Sequence, residues 1–294
     1  MNTYSCRVTT PMFLKGANKN QPELRAPSLK GVLRYWWRAF NGDLKLEELI
    51  AQENAIFGSA GESGRSNFRL IMEATNLSTR KEYPLPHKPK FNLPCIQSNS
   101  TFLIKTKLRK EVKIGSSVIF NDQKLEALLL LVSALGGLGQ RSRRGMGCFA
   151  IYDPSRNLLT PNDLNSLIEK LSLLNEKIKI REDRIITQFN NTSVPYPYLR
   201  TIDIGKPEDG RRLLGRVSQL TSDLNAKYGR DYEASMGGVR SGRFASPVIF
   251  STLPIHESNL LIPIISRVNT VSQNSRRGGS LAIQDDFVSN IINE

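Results

Sequence analysis

The chain is poor in the residues that most enzymes use for catalysis. Its 294 residues include two histidines, His87 and His256, and three cysteines that never form a Cys-x-x-Cys pair. The metalloprotease motif HExxH and the hydrolase motif GxSxG are missing, and carboxylates are not grouped at metal-ligand spacing. The sequence therefore argues against a disulfide framework, a zinc cluster and the common hydrolase mechanisms, and we expect neither a cofactor nor a metal.

Long apolar runs are also missing. The longest, Leu128 to Ala134 and Leu260 to Ile265, are far shorter than the length needed to span a bilayer. The first residues lack the basic and then apolar pattern of a signal peptide. With free thiols expected at Cys6 and Cys148, the predicted location is the cytoplasm, with no membrane partner.

Acidic residues are few relative to basic ones. The chain has 41 Lys and Arg against 27 Asp and Glu, a net charge of +14. Residues 1–150 hold 23 basic and 11 acidic residues, whereas residues 151–294 hold 18 and 16. A strongly basic chain usually has an acidic partner such as nucleic acid, so we expect the first half to make most of that contact.

The most informative segment runs from Gly136 to Gly147, with five glycines and three arginines in twelve residues. No Gly-Lys-[Ser/Thr] follows, which excludes a Walker loop, and a dinucleotide fingerprint would open a helix instead of following one. Two interpretations stay open: a cradle for nucleic-acid phosphates, built from glycine backbone and guanidinium groups, or a flexible, solvated turn.

A helix is predicted from the N-cap Ser28 to Phe40, with Pro27 just outside it. Its apolar positions recur at helical spacing and predict a core face that includes Trp36, whereas Trp37 suits packing and contact with a base or another subunit equally well. Basic residues recur every four positions on another face. That face suits either phosphates or solvent.

Residues 77–100 are predicted to be an irregular excursion, because they hold four prolines among basic and aromatic residues. Tyr83 or Phe91 could stack on bases of a clasped strand, or the segment could be a disordered or subunit-binding loop. His87 offers an enzymatic alternative, as the general base of a metal-independent ribonuclease with a nearby lysine.

The predicted elements of the first half follow the order β-α-β-β-α-β of a ferredoxin-like unit. They are Tyr4–Thr10, Ser28–Phe40, Asn67–Ala74, Thr101–Arg109, Leu125–Leu135 and Cys148–Tyr152, with a short extra helix over Leu44–Asn54. The second half is predicted to hold a distorted unit of the same kind. The expected fold is therefore α+β, with two tandem ferredoxin-like (RRM-like) domains, residues 1–152 and 153–294, and loop insertions.

Several segments resemble one known family. Thr10 to Leu14, Glu23 to Ala39 and the glycine-rich loop at 136–147 are similar to the signature of the RAMP superfamily. The ending Arg34-Tyr35-Trp36-Trp37-Arg38, and Ile56 to Ser59 with Gly64 to Ser66, resemble subunit one of the Cmr (type III-B) CRISPR effector. A weaker match is Gly242 to Val248.

The resemblance implies a non-catalytic RNA-binding subunit of a ribonucleoprotein, near the 3′ end of the guide RNA and contributing to target RNA binding. Guide RNA, single-stranded target RNA and other RAMP subunits are the implied partners. The predicted RNA-contacting residues are Lys30, Arg34, Arg38, Arg65, Gly136, Gly137, Gly139, Arg141, Arg143, Arg144 and Gly145. A guide-processing RAMP endonuclease and a protein-only scaffold subunit are the alternatives.

Overall fold

The computed structural model describes residues 1–18, 20–60, 64–88, 90–189, 196–238, 244–255, 258–269 and 280–293. Two features noted in the sequence lie outside them: His256, and the start of the Gly242–Val248 motif. None of the described helices combines the length and apolar character needed to cross a bilayer.

The first half forms a four-stranded antiparallel sheet with the strand order β2-β5-β1-β8. Its elements are β1 (Asn2–Val8), α1 (Ala26–Phe40), α2 (Leu46–Phe57), β2 (Phe68–Asn76), β3 (Thr79–Glu82), β4 (Leu93–Ile96), β5 (Thr101–Leu108), β6 (Val112–Ile114), β7 (Ser117–Phe120), α3 (Asp122–Leu135) and β8 (Phe149–Tyr152). Without the hairpins β3-β4 and β6-β7 and the short α2, the order is the predicted β-α-β-β-α-β.

Helix α1 begins earlier than predicted. Its first residue is Ala26, Pro27 lies inside the first turn, and Arg25 at the N-cap makes no side-chain capping bond. Proline fits there because its missing N–H would have no partner within the helix, so the prediction of Ser28 as N-cap was wrong. The predicted apolar face, with Trp36 in it, is buried as expected.

The predicted irregular excursion contains a short hairpin. Strands β3 and β4 pair from Thr79 opposite Ile96 to Glu82 opposite Leu93. The prolines are concentrated in the tip between the strands and in β4 itself. Tyr83 and Phe91 are exposed at this tip.

The second half has a different order of elements. It comprises α4 (Leu164–Leu174), β9 (Ile178–Arg181), β10 (Arg184–Thr187), β11 (Leu199–Ile204), β12 (Glu208–Asp209), α5 (Gly210–Tyr228), α6 (Arg230–Met236), β13 (Val248–Pro254), β14 (Leu260–Val268) and α7 (Leu281–Ile292). Its antiparallel sheet runs β13-β14-β11-β10-β9, with β12 beside β14. In a ferredoxin-like unit, the strand after the second helix lies beside the first strand, which here is β11. In this half that position is occupied by β10, which precedes β11 in the chain.

The apolar core is continuous across the two halves. One buried cluster includes residues of α1 and α3 together with residues of α4, β11 and β13. Helix α3 lies at its centre, and the buried hydroxyl of Ser251 in β13 donates to the carbonyl of Ala134 at 2.8 Å. The predicted boundary after Tyr152 therefore separates two sheets that share one core.

Candidate nucleic-acid interface

Five basic side chains from four parts of the first half line one cavity of about 570 Å³. They are Lys30, Arg34, Arg65, Arg69 and Arg109. The first turns of α1 form one wall, the segments 58–60 and 64–66 after α2 form another, and edge strand β2 with the end of β5 forms the third. We call this cavity the basic pocket.

Arg34 holds one wall of the basic pocket together. Its guanidinium donates to the carboxylate of Glu53, to the Asn54 side-chain oxygen at 3.4 Å and to the Gly58 carbonyl at 3.4 Å. Arg38 also lies 3.6 Å from the same carboxylate. Because Glu53 is buried, accepts from Arg34 and lies within ion-pair distance of Arg38, the charges of both arginines are partly neutralised inside the protein.

The other four cations of the basic pocket differ from Arg34. Among the residues that the structure describes, no carboxylate lies within ion-pair distance of Lys30, Arg65, Arg69 or Arg109. The Lys30 ammonium lies 5.9 Å from the ring centre of Phe68. Burial and the neighbouring Arg34 lower the pKa of Lys30. The pocket therefore holds positive charge that an anion from outside the chain can neutralise.

The glycines of the 136–147 loop have a packing role. A Cβ on Gly139 would lie 2.4 Å from the carbonyl oxygen of Phe13, and one on Gly145 would lie 2.5 Å from the ring of Phe250. Both have positive φ angles, 91° and 80°. Gly136, Gly137 and Gly145 are buried, so the prediction that they approach RNA is corrected: they let segments of this chain pack closely.

Arg143 and Arg144 point into the protein and join the loop to the second half. Arg144 donates to the Ser246 hydroxyl at 3.1 Å, the Val248 carbonyl at 2.9 Å and the Met236 carbonyl at 3.1 Å. Arg143 donates to the Ser246 carbonyl, and its guanidinium stacks 4.9 Å from the ring centre of Tyr35. Both arginines are half-buried and have intramolecular partners, and their predicted RNA contacts stay predictions.

Arg141 remains exposed and belongs to a second basic group with Lys88 and His87. The His87 Nδ1 atom lies 2.6 Å from the Ser218 hydroxyl of α5, so the tip of the β3-β4 hairpin contacts the second half. Burial lowers the pKa of His87, and the charges of Lys88 and Arg141 lower it further, against a smaller opposite effect of Asp223.

The structure thus brings together only part of the predicted site. Lys30, Arg34 and Arg65 meet in the basic pocket, Arg38 adjoins it through Glu53, and Arg141 and Gly139 are exposed elsewhere on the glycine-rich loop. The sequence reasoning missed Arg69 and Arg109. Their signal was present: Arg69 lies near the start of one predicted strand and Arg109 ends the next, and antiparallel pairing brings the start of one strand beside the end of the other.

Other predicted features are buried. Trp36 is in the core as predicted, and Trp37 packs edge-on against Phe57 at 6.2 Å between ring centres. All three cysteines are free and buried, and burial raises the pKa of Cys95 to about 12. Within the described ranges, no three His, Cys, Asp or Glu side chains group to hold a metal ion.

Comparisons with known proteins agree on one family. Residues 5–150 match the model of the RAMP superfamily. Two relatives from Pyrococcus furiosus are CRISPR system Cmr subunit Cmr1-1, 29% identical over 189 residues, and Cmr1-2, 28% identical over 174 residues. The matches cover 58% and 50% of this chain, and 53% and 93% of the relatives, so the chain matches about half the length of Cmr1-1.

Solved structures share the fold along the whole chain. The crystal structure of Cmr1 from Pyrococcus furiosus in its apo form has a TM-score of 0.62 at 17% identity, covering 98% of this chain and 95% of that one. A chain of the type III-B Cmr-beta complex bound to cognate target RNA has a TM-score of 0.64 at 12% identity, with 99% of both chains covered. These structures show the shared fold, and the match of residues 5–150 to the family model identifies the chain as a member of the RAMP superfamily.

Proposed function

We propose that the chain is a non-catalytic RNA-binding subunit of a type III-B CRISPR effector complex. The observation that carries the proposal is the basic pocket, where Lys30, Arg65, Arg69 and Arg109 converge without a described carboxylate partner. The relatives named Cmr1 and the fold shared with a Cmr-beta chain support the choice of complex.

The proposed mechanism is contact with the RNA backbone. Guanidinium and ammonium groups neutralise phosphates irrespective of sequence, and such contacts position a strand without reading its bases. Specificity would come from pairing between guide and target. The basic pocket supplies the main contact in this proposal, and Arg141 with Lys88 supplies a second one on the glycine-rich loop and hairpin tip.

The proposed place in the complex follows from the family resemblance. The chain would lie near the 3′ end of the guide RNA, beside other RAMP subunits, and would contribute to binding target RNA. Its two sheets share one core and would form one rigid unit in that assembly. Both halves would be ferredoxin-like, with β10 of the second half in the position of the last strand.

The proposal assigns no cleavage step to His87. Its Nδ1 atom is bonded to Ser218, and this contact connects the hairpin tip to α5. A metal-independent endonuclease is the alternative that uses the same residue, because a neutral histidine between Lys88 and Arg141 has the chemistry of a general base. Cleavage of repeat RNA by the pure protein, abolished by His87→Ala, would establish that alternative.

Co-purification with the other subunits, followed by RNA crosslinking and peptide mapping, tests the proposal. We expect crosslinks to peptides that contain Arg65, Arg69 or Arg109. A chain that joins the complex but neither crosslinks nor binds single-stranded RNA at low salt would instead be a protein-only scaffold.

A further inference from the structure

We propose that the basic pocket receives a phosphomonoester, the terminal phosphate of an RNA strand, in preference to a phosphate within the strand. This inference rests on the proposed RNA-binding function and specifies the ligand of its main site. Three features support the inference: the charge of the pocket, the different elements that supply its cationic groups, and the contacts that fix its walls.

The positive charge that has no carboxylate partner among the described residues exceeds what one internal phosphate neutralises. An internal phosphodiester carries a single negative charge, whereas a terminal phosphate carries about −1.5 to −2 at pH 7 and has three free acceptor oxygens. Four cations of the pocket, Lys30, Arg65, Arg69 and Arg109, have no described carboxylate partner. A doubly charged group with three accessible oxygens matches this set better than a singly charged one.

The cations come from different elements of the fold. Lys30 comes from α1, Arg65 from the segment after α2, Arg69 from edge strand β2 and Arg109 from the end of β5. A row of basic residues along one helix would follow a passing backbone. Donors that converge on one volume from several elements instead suit a compact anion.

The walls of the pocket are fixed by contacts that use no ligand. Arg34 ties α1 to α2 and to the Gly58 carbonyl, and the Ser59 N–H donates to the Gly64 carbonyl at 3.1 Å. Gly58 has a φ of 78°, and a Cβ there would lie 2.5 Å from that same Gly64 oxygen. Residues 58–60 therefore lie against residues 64–66 and form one side of the pocket, with Phe57 and Phe68 in the lining.

Binding of three single-stranded RNAs of one sequence tests the inference. One carries a 5′ phosphate, one a 3′ phosphate and one hydroxyl groups at both ends. We expect one or both phosphate-ended strands to bind about tenfold more tightly than the hydroxyl-ended strand, as a charge-assisted contact would produce. A comparison of the two phosphate-ended strands shows whether the pocket binds the 5′ or the 3′ terminal phosphate.

Two variants locate the effect. Arg109→Gln should reduce the preference to within about twofold, since it removes one of the converging donors. Arg181→Gln removes the same charge from an exposed position of β9 in the second half, outside the pocket lining, and should leave the preference intact. On the unaltered protein, a nucleoside monophosphate should abolish the preference, whereas the nucleoside should not.

The possible failures are distinguishable. Equal binding of all three RNAs by the unaltered protein would overturn this inference and leave the proposed RNA-binding function standing. A preference that persists in Arg109→Gln, and that the monophosphate leaves unchanged, would place the end-binding site elsewhere and overturn it as well. Failure to bind any of the three RNAs would overturn the proposed function itself.

Discussion

Arg144 illustrates, at the scale of single residues, how a cation in a glycine-rich loop can be structural. Three of its four donated side-chain hydrogen bonds end on groups of α6, β13 and the residue Ser246, all far from it in sequence. Arg141, three positions earlier, is exposed. Substitutions of these two arginines therefore test stability and the proposed RNA contact separately within one loop.

We expect Arg144→Gln to lower the free energy of unfolding by about 2 kcal/mol, because it leaves inward-facing carbonyls without donors. Arg141→Gln should change it by less than about 0.5 kcal/mol, as exposed substitutions usually do. Chemical denaturation measures both. Equal stability of the two variants would contradict the structural role of Arg144.

Arg141→Gln should instead act on RNA binding. The loss of one phosphate contact to a single strand should flatten the dependence of log K on log salt by about 0.7. Filter binding at several salt concentrations measures the slope. A slope identical to that of the unaltered protein would remove Arg141 from the interface.

Gly147 tests the packing role of the loop glycines. It has a φ of 73°, and a Cβ there would lie 2.0 Å from the Leu138 carbonyl oxygen, so Gly147→Ala should destabilise the protein by about 2 kcal/mol or more. The control is Gly31→Ala on α1, where no atom lies within 4 Å of the added Cβ. It should stabilise the helix by about 0.5–1 kcal/mol. Thermal or chemical denaturation that finds Gly147→Ala as stable as the unaltered protein would contradict the packing role.

At the scale of elements, the periodicity of apolar residues predicted most helices and strands. Tertiary contacts determine where these elements end and which of their polar residues are free to bind a ligand. The spacing of Leu29, Leu33, Trp36 and Phe40 predicted the buried face of α1. The dense glycines at 136–147 fit both a ligand cradle and close packing, because their contacts, Phe13 and Phe250, are distant in sequence. Charge patterning alone also could not show that Glu53 takes up the charges of Arg34 and Arg38.

The hairpin tip that contacts α5 should respond to pH through His87. Its pKa in the folded protein lies below the ordinary 6.5, so its contribution to stability is present above that value and is lost as the pH falls through the lowered pKa. We expect faster hydrogen exchange in residues 83–88 at pH 5 than at pH 7.5, after correction for intrinsic rates. This difference should shrink in His87→Gln. A pH effect of unchanged size in that variant would assign it to other groups.

At the scale of the whole molecule, the uneven charge and the basic pocket belong to the same half of the chain. Most of the net positive charge lies in residues 1–150, as the composition shows, and the basic pocket lies there too. The second half contributes mainly support: α5 holds the hairpin tip through Ser218, and Ser246 with Val248 fixes the glycine-rich loop. The element order of this half was not predictable from its sequence pattern. The strand beside β11 is β10, which precedes it in the chain, whereas a ferredoxin-like unit would place its last strand there.

The salt dependence of RNA binding measures directly whether the basic pocket binds RNA phosphates. The RNA should carry phosphates at both ends, so that the result does not depend on which phosphate the pocket holds. Replacing Arg65, Arg69 and Arg109 together by glutamine should flatten the slope of log K against log salt by about 1 to 2 units. Replacing Lys179, Arg181 and Lys206, three exposed cations of the second half, should leave it within about half a unit. An unchanged slope in the pocket variant, or equal flattening in both, would contradict the account.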